Sequence, residues 1–261
     1  MSKSVWAKFP HPDKAFDYAG GALKKNWPRL HRGDCEPYPE SEAAQDAWRS
    51  YHAGDFAKAL ESGLKAGTSG INAANKAAMI YANYLEKDEE TKLKIFQEIA
   101  KRCEAQQASD SQNANAWYFH AYALGRYSQG ISIGKALAQG LGGKIKASLD
   151  QALALAPKHA DAHIALGTWH AEIIDKVGGL VGGLTYGAKK EASEQHFRSA
   201  IELNPDSTIA RTEYANGLVM TFGRSRLKDA EKLYDEAIKC TAVDAMEYLD
   251  LAAAKAEMDE D

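Results

Sequence analysis

Several residue types that mark particular protein classes are scarce in this chain of 261 residues. It has only 5 valines against 46 alanines, so the best helix former displaces a residue that sheets favour, and an extended β architecture is excluded. The 3 cysteines are isolated and odd in number. They offer neither a disulfide framework nor a paired-cysteine metal site, and they favour a reducing, cytoplasmic compartment.

Long apolar runs and an excess of basic residues are also missing. No run approaches the roughly 20 apolar residues of a membrane span, and the first six residues lack the apolar core of a secretory signal. The net charge is −4 and the pI about 6.1, which gives no basic face for nucleic acid. Hydrophobic residues make up 45% and charged residues 26%, the usage of an ordinary folded protein.

The first 40 residues form a region of their own, because they hold five of the seven prolines. Residues 13–27 place Phe16, Leu23 and Trp27 at helical spacing, between a Pro-Asp start and a proline stop, and predict one helix. An irregular strap, residues 29–40, follows. We expect both to dock on the rest of the chain, since their aromatic side chains require burial.

From residue 41 to 261 the pattern is a helix, a tight turn and a returning helix, repeated along the chain. Each helix has one face too apolar to stand alone, so the pairs must pack on one another. The predicted pairs are residues 41–67, 72–107, 114–157, 160–205 and 208–240, followed by a capping helix over 243–257.

Self-similarity is explicit in the second half. The stretch Ala152-Leu-Ala-Leu-Ala-Pro157 recurs as Ala200-Ile-Glu-Leu-Asn-Pro205 and, without its proline, at residues 237–241. This pattern resembles the tetratricopeptide repeat (TPR) family, a helix-turn-helix unit of about 34 residues. The matching residues are Trp117, Leu166, Gly167, Phe197, Ala200, Pro205, Ala230, Tyr234 and Ala237.

The resemblance implies an all-α fold, a right-handed TPR-like superhelix of stacked antiparallel helix pairs. Small residues are expected where the two helices of a pair come closest, and large residues in the wedge between pairs. We therefore expect these side chains to be buried between repeats: Trp117, Leu166, Phe197, Tyr214 and Tyr234.

Two repeats are longer than the TPR unit. Pro157 and Pro205 lie 48 residues apart, and the additional residues fall in glycine-rich inserts at 130–143 and 177–187. Such lengthened repeats are similar to those of the regulator of microtubule dynamics family. We expect the inserts to extend their helices into an arm, with Leu, Ile and Val packed insert on insert.

TPR arrays bind a peptide or helix in the concave groove lined by the first helices of successive repeats. By resemblance, the groove positions of this chain are Asn115, Tyr118, Tyr122, Arg126, Asp161, Thr168, Glu172, Thr212 and Asn216. Thr212 stands where the chaperone-binding type of array has a lysine, so a clamp for acidic C-terminal tails is not expected.

Motifs that could carry chemistry do not meet their structural requirements. Gly130-Ile-Ser-Ile-Gly134 fits the nucleophile elbow, but no strand precedes Ser132. His159 and His163 are four residues apart with His170 beyond, yet the metalloprotease glutamate is absent at position 160. The sequence therefore predicts no catalytic residue, no metal and no cofactor.

The leading hypothesis is a non-enzymatic cytoplasmic scaffold that binds a protein or peptide partner. The alternative is a small-ligand carrier or enzyme that uses the glycine-rich inserts as a lid. The first 40 residues leave three alternatives open. They leave the groove open, fill it with Trp6, Phe16 and Trp27 packed on the groove tyrosines, or form part of the core. The partner and the oligomeric state remain open.

Overall fold

The computed structural model describes residues 6–259, and this range is helical with no β-strand. The expected all-helical class is confirmed. None of the helices in this range is long and apolar enough to cross a membrane. The α-helices are α1 Ala22–Leu30, α2 Glu42–His52, α3 Phe56–Lys65, α4 Ile71–Tyr84, α5 Glu89–Ser109, α6 Ala114–Gln129, α7 Ile133–Ala138, α8 Leu141–Leu155, α9 Ala160–Val177, α10 Gly179–Tyr186, α11 Lys190–Leu203, α12 Thr208–Phe222, α13 Leu227–Ala237 and α14 Ala245–Asp259.

The helices pack in successive pairs. α2 packs on α3, α4 on α5, α6 on α8, α9 on α11, and α12 on α13. The first helices of neighbouring pairs contact one another as well, α2 with α4, α4 with α6, α6 with α9 and α9 with α12. Because no pair buries both of its faces, stability comes from stacking on neighbours. The first helices thus form one layer of the array, which we call the concave side.

Close packing between the fourth and fifth pairs depends on two glycines. The ring of Phe197 is fully buried, and Cβ atoms built at Gly167 and Gly217 would lie 3.0 and 2.5 Å from it. Of the five large side chains expected between repeats, Leu166, Phe197 and Tyr214 are buried. Trp117 and Tyr234 are only half-buried, so for these two side chains the prediction was wrong. Each instead bonds through its polar atom: the Trp117 indole donates to the Ser111 carbonyl and the Tyr234 hydroxyl to Asn216.

The N-terminal helix begins later than predicted. Asp17 is extended and Gly20 has a positive φ of 55°, which ends the short 3₁₀ turn at residues 14–16 and delays α1 to Ala22. Pro28 lies inside α1 rather than after it. It is tolerated in the last turn, where its missing N–H removes a single helical hydrogen bond.

The inserts form the short helices α7 and α10 instead of lengthening their neighbours. α7 contacts α8, and α10 contacts α9. The apolar side chains Leu180, Leu184, Ile133 and Leu137 are exposed, so the expected packing of Leu and Ile side chains insert on insert was a wrong prediction. The two inserts approach each other at Gly142 and the ring of Tyr186. The reason is local: Gly130 and Gly178 end the preceding helices, and Gly140 and Gly187 adopt positive φ where the short helices begin or end.

The two ends of the array meet. α14 packs on α12 and α13 and also reaches α2. The Arg29 guanidinium donates two hydrogen bonds to the Glu247 carboxylate, at 2.6 and 3.0 Å, and His52 Nδ1 lies 2.8 Å from Asp244 Oδ2. The Tyr18 hydroxyl donates to the Val243 carbonyl. The concave face is therefore closed at one side by α1, the strap and α14.

Candidate functional site

A cavity of about 140 Å³ lies on the concave face. Its walls come from α4, α6, α8, α9, α12 and α14, and from Leu30, Gly33 and Asp34 at the start of the strap. The lining mixes tyrosine, apolar and charged side chains. This is the composition of a ligand pocket, in which an apolar wall carries a few polar groups.

Six of the nine expected groove residues line this one cavity. They are Tyr118, Tyr122, Arg126, Asp161, Thr168 and Glu172. They converge because positions one helical turn apart on α6 and α9 share a face. The two helices are neighbours, so the two faces meet across the cavity.

The other three expected residues lie outside the cavity lining and bond elsewhere. Asn115 donates a 2.6 Å hydrogen bond to Glu36 and pairs with His159 Nε2 at 2.9 Å. The Thr212 hydroxyl donates to the Ile209 carbonyl, and Asn216 accepts from the Tyr234 hydroxyl. Asn115 and Thr212 are buried, so both are structural groups of the fold.

A buried ion pair forms the floor of the cavity. Lys76 Nζ lies 2.5 Å from Asp34 Oδ2, and their side chains are 5% and 0% exposed. His31 Nδ1 lies 2.9 Å from the other carboxylate oxygen. Burial disfavours ionisation of Asp34, but His31 and Lys76 hold the pKa of its carboxyl well below the usual range. Burial of the His31 imidazole lowers its pKa to about 4.

The strap is held beneath the helix ends by hydrogen bonds. The Glu36 carboxylate accepts from Asn72 on α4 and Asn115 on α6, at 2.8 and 2.6 Å. The Gly33 carbonyl accepts from the Asp161 N–H at the start of α9. The strap thus supplies acceptors to the N-terminal ends of the first helices. Burial raises the pKa of Glu36 to about 8, and the negative charge of Asp34 adds to that rise.

The opposite side of the cavity, at the C-terminal ends of α6 and α9, is only partly covered. The Arg126 guanidinium lies 3.4 Å from Glu213, which also accepts a 3.0 Å hydrogen bond from the Thr168 hydroxyl. Gln129 donates to Glu172, which pairs with Lys176 as well. The side chains of Arg126, Glu213 and Glu172 are 27%, 17% and 18% exposed, so this side is the mouth.

Several polar groups in the lining lack a hydrogen-bond partner among residues 6–259, and Asn204 Oδ1 is one of them. No described donor bonds to the Asp161 carboxylate, and the Tyr118 hydroxyl is unbonded although its side chain is 7% exposed. Gly33 makes room for Asp161, because a Cβ there would collide with the carboxylate. Burial raises the pKa of Asp161 to about 7, with Lys76 opposing the rise and Asp34 and Glu247 adding to it.

The C-terminal helix contributes a further acid. Asp250 accepts a hydrogen bond from the Tyr84 hydroxyl, and both residues line the cavity. Burial raises the pKa of Asp250 to about 8, against the lowering effect of that bond, and the negative charges of Glu247 and Asp244 raise it further. The cavity therefore contains carboxyl groups that ionise only near or above neutral pH.

The N-terminal aromatic residues pack away from the groove tyrosines. Trp6 stacks on Tyr81 at 3.9 Å between ring centroids, and Phe16 meets the edge of Tyr248. Trp27 stacks on His31 and contacts Trp48. These contacts make the N-terminal segment part of the core. It touches the cavity through the residues of the strap rather than through these rings.

The other motifs lie outside the cavity. Ser132 accepts a hydrogen bond from the Lys135 N–H and starts α7. His159 caps α9 with its ring buried, and His163 pairs with His196 at 2.9 Å. Within the described range no three or more His, Cys, Asp or Glu side chains are grouped so that they could hold a metal ion. No residue of either insert lines the cavity.

Sequence reasoning missed several charged residues of the cavity lining. Asp34, Lys76, Glu213 and Asp250 were not among the expected site residues, and all line it. One signal was available: Lys76 is the lone cation in the run Ala73-Ala-Asn-Lys-Ala-Ala-Met-Ile80, where a charged residue within a buried helix needs a partner. The partner itself could not be read from the pattern.

Stacked antiparallel helix pairs with small residues at their contacts define a TPR-like helical-repeat protein. A search of solved structures finds the crystal structure of a thermophilic TPR protein from Thermus thermophilus, with a TM-score of 0.58 at 14% identity. The match covers 82% of this chain and 97% of that chain, and it concerns the fold alone.

Residues 47–176, just under half of the chain, match the family described as Regulator of microtubule dynamics protein 1-3. A search of curated proteins finds no match. The chain is a TPR-like protein whose repeats are similar to those of the regulator of microtubule dynamics family.

Proposed function

We propose that this chain is a non-enzymatic interaction protein that binds an extended segment of a protein partner at the mouth of the concave cavity, with one side chain inserted. The observation that supports this proposal is the cavity, because several first helices of the array converge on a pre-formed, partly open pocket.

The cellular compartment is part of the proposal. The three cysteines of the chain are free, which supports action in a reducing compartment such as the cytoplasm.

The size of the cavity supports one of the two kinds of peptide that the TPR resemblance implies. An α-helix is about 10 Å across with its side chains, which is too wide to enter a cavity of about 140 Å³ as a whole. A single long side chain fits. The closure of the array by the strap and α14 therefore favours an extended segment over a helix.

A substitution that fills the cavity tests this function. Gly125 lies on α6 in the cavity lining, and a Cβ built there has no atom within 4 Å. Gly125→Phe should place a ring in the cavity while the helix is kept, because phenylalanine is a better helix former than glycine. Gly143→Phe is the matched control, since Gly143 is exposed on α8 and equally free of neighbours.

A random peptide library displayed on phage would be selected against the wild-type protein. Peptides that bind the wild type and Gly143→Phe but not Gly125→Phe support the proposal. Peptides that bind all three proteins equally would place the interaction elsewhere and overturn it. Absence of any enriched peptide, together with binding of a free small molecule in the cavity, would favour a ligand carrier instead.

A further inference from the structure

The charges that line the cavity are unequal. Acidic side chains outnumber basic ones in the lining, where Lys76 and Arg126 are the cations and the acids are Asp34, Asp161, Glu172, Glu213, Glu247 and Asp250. Two of these acids have partners outside the lining, since Glu247 pairs with Arg29 and Glu172 with Lys176. Both cations are already paired. Lys76 Nζ lies 2.5 Å from Asp34, while Arg126 lies 3.4 Å from Glu213 and covers the ring of Tyr122 at 5.3 Å. An anionic guest would have to break one of these pairs.

The unused groups of the lining can accept hydrogen bonds. Asp161 receives none from the residues that the structure describes, and a carboxylate can only accept when it is ionised. The Tyr118 side chain is 7% exposed and lines the same cavity, and its hydroxyl, which can accept as well as donate, is also unbonded. A guest rich in N–H donors would satisfy both groups.

The walls of the cavity suit a side chain that ends in a charged group and has an apolar methylene chain. Tyr84, Tyr118, Tyr122 and Trp169 line the cavity together with Met79 and Leu149. Aromatic rings attract cations through their negative faces, and apolar walls cover the methylene groups of long basic side chains. A volume of about 140 Å³ accommodates one such side chain.

We propose that the cavity binds an ammonium or guanidinium group, with Asp161 as its counter-ion and the Tyr118 hydroxyl as a second contact. This inference rests on the proposed function and names the chemistry of the inserted side chain, a lysine or an arginine. A free organic amine carries the same chemistry, and the experiment separates the two sources.

Protonation provides a second signature. The groups that act on the Asp161 carboxyl are Lys76, Asp34 and Glu247, and burial keeps its pKa near 7. A cation bound beside Asp161 favours its ionised form, so binding should release a proton and strengthen as the pH rises from 6 toward 8. A neutral guest would not show this dependence through Asp161.

Two sets of probes test the charge of the guest by isothermal titration calorimetry. The first set is n-butylammonium and methylguanidinium chloride, compared with neutral n-butanol and anionic butyrate. The second is acetyl-Gly-Gly-Lys-Gly-Gly-amide, compared with the same peptide carrying norleucine. We expect the cationic member of each set to bind at least about tenfold more tightly than its neutral or anionic counterpart. Equal binding, or preference for butyrate, would overturn the inference.

Variants test the assigned residues. Asp161→Asn should lower the affinity for the cationic probes about tenfold and weaken its pH dependence, of which Asp250 in the same lining supplies the remainder. Tyr118→Phe should lower the affinity by a smaller factor. Asp175→Asn is the matched control, because Asp175 lies exposed on the same helix α9 outside the cavity. Equal affinity of Asp161→Asn and Asp175→Asn would overturn the assignment, and Tyr118→Phe provides an independent check that keeps the fold.

The two proposals fail in different ways. If selected peptides are blocked by Gly125→Phe but contain no lysine or arginine, this inference is wrong and the proposed function stands. If n-butylammonium binds through Asp161 while neither the lysine peptide nor any library peptide binds, the cation site stands. The proposed peptide-binding function is then wrong.

Discussion

The floor of the cavity buries charged side chains, whereas the glycine-rich inserts expose apolar ones. Lys76 and Asp34 are charged and lie inside, whereas Leu180 and Leu184 are apolar and 78% and 82% exposed. Both regions depart from the rule that places apolar residues inside. The strap brings an acid beneath α4, while α10 has no further pair to cover it. Position in the array, more than residue type, decides burial here.

The largest expected effect is loss of the floor itself. Deletion of residues 1–40 removes Asp34, leaves Lys76 without its acid and exposes Trp48, which contacts Trp27. We expect the truncated protein to aggregate or to lose its cooperative thermal transition, measured by circular dichroism. A folded truncated protein with higher peptide affinity would show instead that the segment is a detachable plug of the groove.

The next largest effect is expected when the ion pair that forms the floor of the cavity is broken. Lys76→Met should lower the free energy of unfolding by about 3 kcal/mol, because it removes the cation that pairs with the buried Asp34 carboxylate and leaves it only His31 and the Glu36 N–H. Urea titration measures the change. Lys65→Met, at an exposed pair with Glu61, should cost about 0.5 kcal/mol or less. Equal losses in the two variants would contradict the structural role of the floor.

A smaller effect, with a defined pH dependence, is expected at Asp250. Its pKa in the folded protein is raised to about 8 from 3.8, so the folded state binds the proton more tightly than the unfolded state. Stability should therefore fall as the pH rises from about 4 to 8, and Asp250→Asn should remove that loss.

The comparison of Asp250→Asn with wild type should show little difference at acidic pH and a gain on the order of 2 kcal/mol near pH 8. Thermal and urea unfolding across this pH range measure it. Asp175→Asn, at an exposed position of α9, should show no such trend. A pH-independent difference for Asp250→Asn would mean that the buried acid does not titrate as described.

The smallest effect concerns the inserts. Leu184→Ser on α10 should change the free energy of unfolding by less than about 0.5 kcal/mol, because the side chain is already in solvent. Leu149→Ala, at a fully buried position of α8, should cost about 2–5 kcal/mol. A large loss from Leu184→Ser would show that α10 is packed against another part of the protein and that its apolar side chains are not in solvent.

The candidate site shows what could be predicted and what could not. Tyr118, Tyr122 and Arg126 were predicted together because they lie about one turn apart on one helix. Asp161 and Thr168 were predicted to lie on the same face because the repeat register aligns the first helices of successive repeats. Asn115 shares that register, yet its side chain bonds to Glu36 and His159 outside the cavity lining. A register fixes the face of a helix but not the hydrogen bonds that a side chain forms.

The sequence by itself determined the helical class, the TPR-like repeat and the shared face of α6 and α9, since periodicity and small-residue spacing are local properties. Only the tertiary structure decided that the array closes. Asp34 meets Lys76 across 42 residues, and Arg29 meets Glu247 across 218. No local pattern encodes such pairs, because they depend on the summed geometry of the stacked helix pairs between them. Because the array closes, the surface expected as an open groove is a cavity that contains buried charged side chains.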